Sequence, residues 1–219
     1  MTTPEEGGTR PGTGGQAGEL VFIAVVSAAV LAYELLLTRI LAVHYWSYFA
    51  SMIVSLAMLG FAASGTALFV FSRHKSGTGR LVPSMTACFV LGVALCPRLS
   101  EQVECMPLVV LWNPAQLLRF AAQYLVLSLP FFFGGFIIGH FFLAGKLGAG
   151  RVYCANMFGS GAGVLLALTF LCRTDPYLAL SIAAAVVAAV ALFRERRAFH
   201  RLTVGAALAL LVPAGLFSP

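Results

Sequence analysis

The residue with the clearest chemical meaning is Glu34, which interrupts an apolar run from Leu20 to Val43, with Arg39 five positions further on. An ionisable group at membrane depth costs about 2.5–3.5 kcal/mol on insertion scales unless it is paired or faces a protein interior. A glutamate side chain is also too short to reach water from the middle of the apolar run. We therefore expect Glu34 to contact a polar group on another helix, to carry a proton, or to line an aqueous pocket.

The spacing of Glu34 and Arg39 is not that of an intrahelical ion pair, because five residues rotate a helix by about 140°. Arg39 lies near the end of the apolar run and can extend its guanidinium into the lipid headgroups. Glu34 shares a helical face with Thr38, and Gln123 and Arg119 on a later apolar segment are its candidate partners. Two interpretations remain: a buried glutamate that ties helices together, and a carboxylate that handles a substrate or a proton.

A second polar group comprises His140, Tyr153 and Asn156, which fall toward one membrane face on either side of a short turn. Tyr153, Asn156 and Ser160 follow i, i+3, i+7 spacing and therefore share one helical face. Hydrogen bonds between membrane helices contribute only about 0.6 kcal/mol on average. The stripe is interpreted either as a means of holding helices together or as a contact for a ligand or a partner.

The elements that position these groups follow from composition. Of the 219 residues, 60% are hydrophobic and 10% are charged, whereas soluble domains carry about 25% charged residues. Runs of 17–25 apolar residues are typical of membrane-spanning helices. The sequence predicts an all-α, polytopic transmembrane helix bundle of about seven helices, with spans at 20–43, 47–72, 81–97, 115–145, 152–172, 176–193 and 202–217.

Domain organisation and orientation come from the segments outside the spans. Residues 1–19 are rich in Gly, Thr and Pro and predict a disordered N-terminal tail before a transmembrane helical domain at 20–219. The tail lacks the basic start of a signal peptide. Ten Lys and Arg residues fall on the side of the N-terminus and three on the opposite side, so the positive-inside rule predicts a cytoplasmic N-terminus.

Small residues four apart occur on three of the predicted spans. Such pairs let membrane helices approach closely, so we interpret them as packing seams. The last pair is embedded in a Gly-rich string, but it lacks the preceding strand and the later acidic residue of a nucleotide-binding loop. The pairs are Gly60 and Ser64, Gly135 and Gly139, and Gly159 and Gly163.

Catalytic and cofactor signatures are not found in the sequence. No CxxC or Cys/His metal spacing occurs, and His44 and His140 are predicted near opposite membrane faces, so we expect no metal and no other cofactor. Cys96, Cys105 and Cys172 are predicted near the outer face, either as a disulfide pair or as small apolar residues. The longest internal loop, at about 98–114, is shorter than one βαβ unit of about 30 residues, so we expect no catalytic residues in this chain.

Four segments resemble, in order, parts of one known membrane domain: Tyr33–Ala42 (YELLLTRILA), Tyr48–Thr66, Leu129–Gly139 (LPFFFGGFIIG) and Arg151–Leu168. The domain is that of multi-pass bacterial spermidine synthase-like (aminopropyltransferase-like) proteins. The resemblance implies a bundle in the bacterial inner membrane that accompanies a cytosolic enzyme domain. Asn156 stands where an aspartate is expected, and the substrate-binding glycine loop and catalytic aspartates of the enzyme domain have no counterpart. The resemblance therefore does not imply aminopropyl transfer by this chain.

Three functions are compatible with these observations. The first is a non-catalytic integral membrane subunit that anchors, scaffolds or assembles with another protein or with further copies of itself. The second is a carrier or binder of a small cationic or amphiphilic solute that uses Glu34. The third is the membrane half of a split or truncated aminopropyltransferase-like enzyme. Membrane lipids are expected partners in each case, and nucleic acid in none.

Overall fold

The computed structural model describes residues 13–44, 52–73, 78–102 and 114–194. These ranges contain six helices that are long and apolar enough to cross a membrane, and they contain no strand. The all-α membrane bundle predicted from the sequence is therefore confirmed, and the seventh span, at 202–217, lies outside the described residues. The helices are α1 (Thr13–His44), α2 (Met52–Arg73), α3 (Val82–Glu101), α4 (Pro114–Ala144), α5 (Ala149–Leu171) and α6 (Pro176–Arg194), with a short 3₁₀ turn at Thr78–Arg80 before α3.

The first helix starts earlier than the hydropathy predicts. It begins at Thr13, so residues 13–19 of the segment predicted as a disordered tail are helical, and residues 1–12 lie outside the described part. The reason is that hydropathy locates the apolar part of a helix, whereas an existing helix gains further residues with little additional cost. A contact between helices also holds this extension, because Arg151 Nη1 donates to Gln16 Oε1 at 3.4 Å.

Helices α1 and α4 occupy the centre of the bundle. Helix α1 packs most extensively on α5, and also on α6 and α4, while α4 packs on α2 and α3. Since α3 also contacts α6, the helices follow one another around the bundle in the order α5, α1, α6, α3, α4, α2. The two helices at the ends of this series, α2 and α5, form no extended interface with each other, and a gap therefore remains between them.

A buried tyrosine joins the two central helices. Tyr33 is fully buried, and its hydroxyl donates to the backbone carbonyl of Leu127 at 3.2 Å. Its ring meets that of Phe131 edge-on, with centroids 5.1 Å apart. Edge-to-face aromatic pairs and a satisfied hydroxyl both stabilise a buried tyrosine, so this side chain fixes the distance between α1 and α4.

Two glycines bring α5 directly against the backbone of α1. A methyl group added at Gly159 would lie 2.6 Å from Ala24 Cα, and one added at Gly163 would lie 2.6 Å from Ala28 Cα. Real side chains do not tolerate such distances, so only glycine permits this approach. The Gly159 and Gly163 pair therefore lies at the α1–α5 interface.

The other small residues lie between α2 and α4. A methyl group at Gly60 would meet Phe131 Cβ at 2.6 Å, one at Gly135 would meet Ser64 Oγ at 2.6 Å, and one at Gly139 would meet Leu68 Cδ1 at 2.5 Å. At each of these glycines, an atom of the neighbouring helix, α2 or α4, occupies the space that a larger side chain would need. This interface holds α2 on the side of α4 that faces α5.

Candidate functional site

A lateral groove opens between α2 and α5, with α1 and α4 forming its floor. Its volume is about 420 Å³. Most of its lining is apolar, and Phe61, Gly65 and Met157 at its mouth are exposed on the outside of the bundle. We call it the α2–α5 groove. Its lining residues are Ser27, Val30, Leu31, Phe61, Ser64, Gly65, Leu68, Gly135, Ile138, Gly139, Phe142, Asn156, Met157 and Ser160.

The polar part of the groove is built around Asn156 and Ser27. Ser27 is buried, and its Oγ lies 2.8 Å from the Ile23 carbonyl oxygen and 2.7 Å from the atom placed as Asn156 Oδ1, so that both neighbours are acceptors as the amide stands. A serine hydroxyl has one proton to donate. Both contacts are satisfied when Ser27 donates to Ile23 and accepts from the Asn156 NH₂ group, an orientation reached by rotating the amide through 180°.

In this arrangement Asn156 has unused hydrogen-bonding capacity. An asparagine amide offers two N–H donors and a carbonyl acceptor, and among the described residues only Ser27 bonds to this one. One N–H and the carbonyl oxygen are therefore left for a molecule in the groove. Ser160 lies one turn further along α5 and also lines the groove, whereas Tyr153, predicted on the same stripe, is 56% exposed and does not line it.

Glu34 lies on the same face of α1 as Ser27, which is part of the groove floor, but it lies further along the helix. It follows Ser27 by seven residues, which is almost two complete turns. The side chain is partly exposed, and Thr38 Oγ1 donates to the backbone carbonyl of Glu34 at 2.8 Å. Within the described ranges no hydrogen bond or ion pair joins the Glu34 carboxylate itself.

The partners expected for Glu34 make other contacts or are exposed. Gln123 is buried, and its Nε2 donates to Ser100 Oγ at 2.7 Å, which joins α4 to α3. Arg119 and Arg39 are both exposed on the outside of the bundle. The helix tie that the sequence suggested at Glu34 is thus provided by Gln123 and Ser100 instead.

His140 lies in a second, smaller cavity with a volume of about 160 Å³. We call it the basal cavity, because it lies at the basal end of the bundle, where α1, α3 and α5 begin and α2, α4 and α6 end. Its lining residues are Glu19, Gly79, His140, Phe141, Ala144, Lys146, Leu147 and Arg194.

No protein-family model, no curated protein and no solved structure matches the chain.

Metal and disulfide chemistry find no support in the described ranges. No group of three or more His, Cys, Asp or Glu side chains there could hold a metal ion. Cys96 and Cys172, two of the three cysteines considered for a disulfide, are free thiols. Cys105 lies outside the described residues.

Several residues of the groove and of the basal cavity were not predicted from the sequence. Ser27 stands alone in an Ala- and Val-rich segment, and its partner is 129 positions away, so no local pattern indicates it. Glu19, Lys146 and Arg194 come from three separate segments. A usable signal did exist for these three, since each is a charged residue at the end of a predicted span.

Proposed function

We propose that this protein is a multi-pass protein of the bacterial inner membrane that binds one amphiphilic molecule of the bilayer in the α2–α5 groove. The observation that carries the proposal is the groove itself, an opening of about 420 Å³ whose lining is mostly apolar and includes a few uncharged polar groups, among them an amide with unused hydrogen-bonding capacity. Ligand pockets commonly have volumes of about 300–1,000 Å³, apolar walls and few polar groups. The groove has each of these properties.

The lining supports a specific kind of occupant. Leu31, Leu68 and Phe142 provide apolar surface for a hydrocarbon or isoprenoid chain. Asn156 provides one donor and one acceptor for a neutral polar group such as a hydroxyl, an ester or a quinone carbonyl. The groove lining itself contains no ionisable side chain, so a charged group would be desolvated there without a counter-charge.

The proposed orientation places the basal end in the cytoplasm. In the whole sequence ten Lys and Arg residues fall on that side, and the described ones among them are Arg73, Arg80, Lys146, Arg151 and Arg194, against Arg39, Arg98, Arg119 and Arg173 toward the opposite end. Lys and Arg are enriched in cytoplasmic segments. Labelling of single cysteines introduced at Arg73 and at Arg173 tests this orientation, and we expect only the second to react with an impermeant reagent added outside the cell.

Filling the groove tests the proposed binding. Gly65 lines the groove, and a methyl group added there meets no atom within 4 Å, so the side chain of Gly65→Leu starts in open space at the groove. Gly161 on α5 is the matched control, because it is equally unobstructed and does not line the groove. Native mass spectrometry after mild extraction should detect a bound amphiphile in the unaltered protein and in the control variant Gly161→Leu. The amount of bound amphiphile should be much smaller in Gly65→Leu. Equal retention by both variants would reject the proposal.

A second function, assembly with a partner protein, is favoured by the outward surface of α5. Only 17% of the apolar part of this helix is buried, the smallest share among the six described spans. Phe158 and Leu165 are 79% and 67% exposed on it. Purification of the native assembly tests this function: a stoichiometric partner that is lost on Phe158→Ala would support it, and recovery of the chain without any other protein would oppose it.

The resemblance to the spermidine synthase-like membrane domain supports a related proposal about origin. We propose that the bundle shares ancestry with that domain and that a soluble enzyme chain is its partner. The prediction is that the stoichiometric partner binds S-adenosylmethionine or its decarboxylated form. A partner without such binding would remove the support for a split enzyme.

A further inference from the structure

We propose that the occupant of the α2–α5 groove is an acylglycerol with a free hydroxyl, that is, an uncharged lipid in which a hydroxyl lies beside a fatty-acid ester. The inference rests on the function proposed above and narrows the ligand of that same groove to one chemical class. It is carried by two polar side chains of α5, Asn156 and Ser160, and by the hydrogen-bonding atoms that they leave unused.

Ser160 differs from the other two serines of the groove. The Ser27 hydroxyl lies 2.8 Å from the Ile23 carbonyl oxygen, and the Ser64 hydroxyl donates to the Phe61 carbonyl at 2.7 Å, so each has an acceptor within its own helix. The Ser160 hydroxyl lines the groove and makes no hydrogen bond with any residue that the structure describes. A hydroxyl offers one donor and two acceptor lone pairs, and Ser160 can use them on a ligand.

Asn156 and Ser160 form a pair on consecutive turns of α5. Residues four apart lie one above the other on a helical face, with their Cβ atoms about 5–6 Å apart. The nearby Gly159 and Gly163 pack against the backbone of α1, so the adjacent face of α5, which carries the pair, runs along the groove. A ligand group that reaches one of the two side chains therefore also reaches the other.

The unused atoms of this pair include both donors and an acceptor. Asn156 has one N–H and its carbonyl oxygen left, and Ser160 has its hydroxyl. A buried polar atom without a partner loses its hydration without compensation. A quinone carbonyl or a simple ester offers acceptors only, so the Asn156 carbonyl oxygen would stay unpaired. A simple alcohol pairs with that oxygen and with Ser160, but it leaves the amide N–H unpaired.

A hydroxyl beside an ester satisfies every atom of the pair. The ligand hydroxyl donates to the Asn156 carbonyl oxygen and accepts from the Ser160 hydroxyl, while the ester carbonyl accepts from the Asn156 N–H. The acyl chain of that ester then lies along the apolar wall at Leu31 and Leu68. A second chain can remain in the bilayer, because the groove opens sideways between α2 and α5.

The depth of the pair argues against a phospholipid as the ligand. Asn156 follows the first residue of α5, Ala149, by seven positions, which is about 10 Å along the helix. The described residues that line the groove are all uncharged. A phospholipid carries its phosphate where an acylglycerol carries the hydroxyl, so the same binding mode would place a charge within the apolar spans without a counter-charge.

The first test compares ligands that differ in the relevant group. The full chain in lipid nanodiscs is offered diacylglycerol, the methyl ether of that diacylglycerol, and an isoprenoid quinone, and native mass spectrometry quantifies the lipid that is retained. The ether keeps the ester acceptor but lacks the hydroxyl donor. We expect diacylglycerol to be retained about two- to tenfold more than its ether, as one neutral hydrogen bond implies, and also more than the quinone.

The second test assigns the contacts to the two side chains. We expect Asn156→Leu to abolish the preference for diacylglycerol over its ether, and Ser160→Ala to lower diacylglycerol retention about two- to tenfold. The matched control is Ser55→Ala, the same substitution at an exposed serine of α2 that does not line the groove, and it should leave retention unchanged. Circular dichroism checks that each variant retains its helices.

Three results would overturn the inference: equal retention of diacylglycerol and its ether by the unaltered protein, stronger retention of the quinone, or equal effects of Ser160→Ala and Ser55→Ala. The variant Gly65→Leu distinguishes these failures from a failure of the proposed function. A lipid that is lost in Gly65→Leu but is bound without preference for the free hydroxyl would reject the acylglycerol and leave groove binding standing. Retention of every lipid by Gly65→Leu would reject both.

Discussion

The α2–α5 groove and the basal cavity use the same helix, α4, in opposite ways. The groove side of α4 presents Gly135, Gly139 and apolar side chains, and the amide with unused hydrogen-bonding capacity comes from Asn156 on α5. The cavity side presents His140 among charged residues from the ends of other helices. The kind of polar group in each site therefore follows its depth in the membrane. Uncharged groups line the groove, which lies within the apolar spans, and charged groups line the cavity, which lies at the helix ends.

The two sites also differ in what holds them open. The groove exists because α2 and α5 are each pinned to a central helix by glycines, α5 to α1 and α2 to α4, and not to each other. The cavity exists because four chain segments end at one place. Changes to the glycine interfaces should therefore alter the groove and spare the cavity.

The largest effect is expected from Gly163→Leu. The added side chain would meet the backbone of α1 at Ala28, which cannot move away as a flexible side chain can. We expect a loss of at least about 3 kcal/mol in the free energy of unfolding, or failure to accumulate folded protein. The measurement is unfolding in mixed micelles, with Gly161→Leu as the matched control, and a stability equal to that of the control would contradict the α1–α5 interface described above.

Filling the groove should have the next largest effect, and on binding alone. Gly65→Leu adds a side chain where no atom lies within 4 Å, so we expect unchanged stability and at least about tenfold weaker retention of the amphiphile. Retention of the amphiphile by Gly65→Leu at the level of the unaltered protein would contradict binding in the groove.

The sequence predicts features that depend on neighbouring residues, and it does not predict contacts between residues that are far apart in the chain. Hydropathy predicts the spans at 115–145, 152–172 and 176–193 within three residues of α4, α5 and α6, because the energy of an apolar residue in lipid depends on that residue alone. Gly159 and Gly163 indicate a close helix contact, but nothing in their spacing identifies Ala24 and Ala28 as the partners. Contacts between distant segments depend on the packing of the whole bundle.

The polar contacts of the candidate site were also not predictable from the sequence, because they join residues far apart in the chain. Asn156 is recognisable as a polar residue in an apolar segment, yet its contact with Ser27 follows only from the approach of α5 to α1. Glu34 is the most conspicuous residue of the sequence, but no described residue bonds to its carboxylate, and the polar contact between neighbouring helices is formed by Gln123 and Ser100. A conspicuous residue type thus indicates an energetic cost without indicating what offsets it.

Replacing the amide of the groove should have a moderate effect. Asn156→Leu removes the donor and acceptor offered to the ligand but keeps a similar side-chain volume. A neutral hydrogen bond contributes about 0.5–1.5 kcal/mol, so we expect retention of the amphiphile to fall about two- to tenfold, measured by native mass spectrometry. Ser181→Ala, which removes a hydroxyl of α6 that donates to the Tyr177 carbonyl and does not line the groove, is the control and should leave retention unchanged. Unaltered binding in Asn156→Leu would show that the occupant makes only apolar contacts.

The smallest effect is expected from Glu34→Gln. Since no described residue pairs with the carboxylate, Glu34→Gln breaks no ion pair, so the free energy of unfolding should not fall and retention of a neutral amphiphile should be unchanged. The same binding and unfolding assays provide the readout. Loss of binding in this variant would instead favour a cationic ligand that extends along α1 from Ser27 to Glu34.

The most direct test of the central claim is a density map of the protein in nanodiscs made from bacterial inner-membrane lipids. We predict one elongated density between α2 and α5, with its polar end within hydrogen-bonding distance of the Asn156 amide and its chain along Leu31 and Leu68. A map in which α2 and α5 close on each other, or in which the density avoids Asn156, would contradict it.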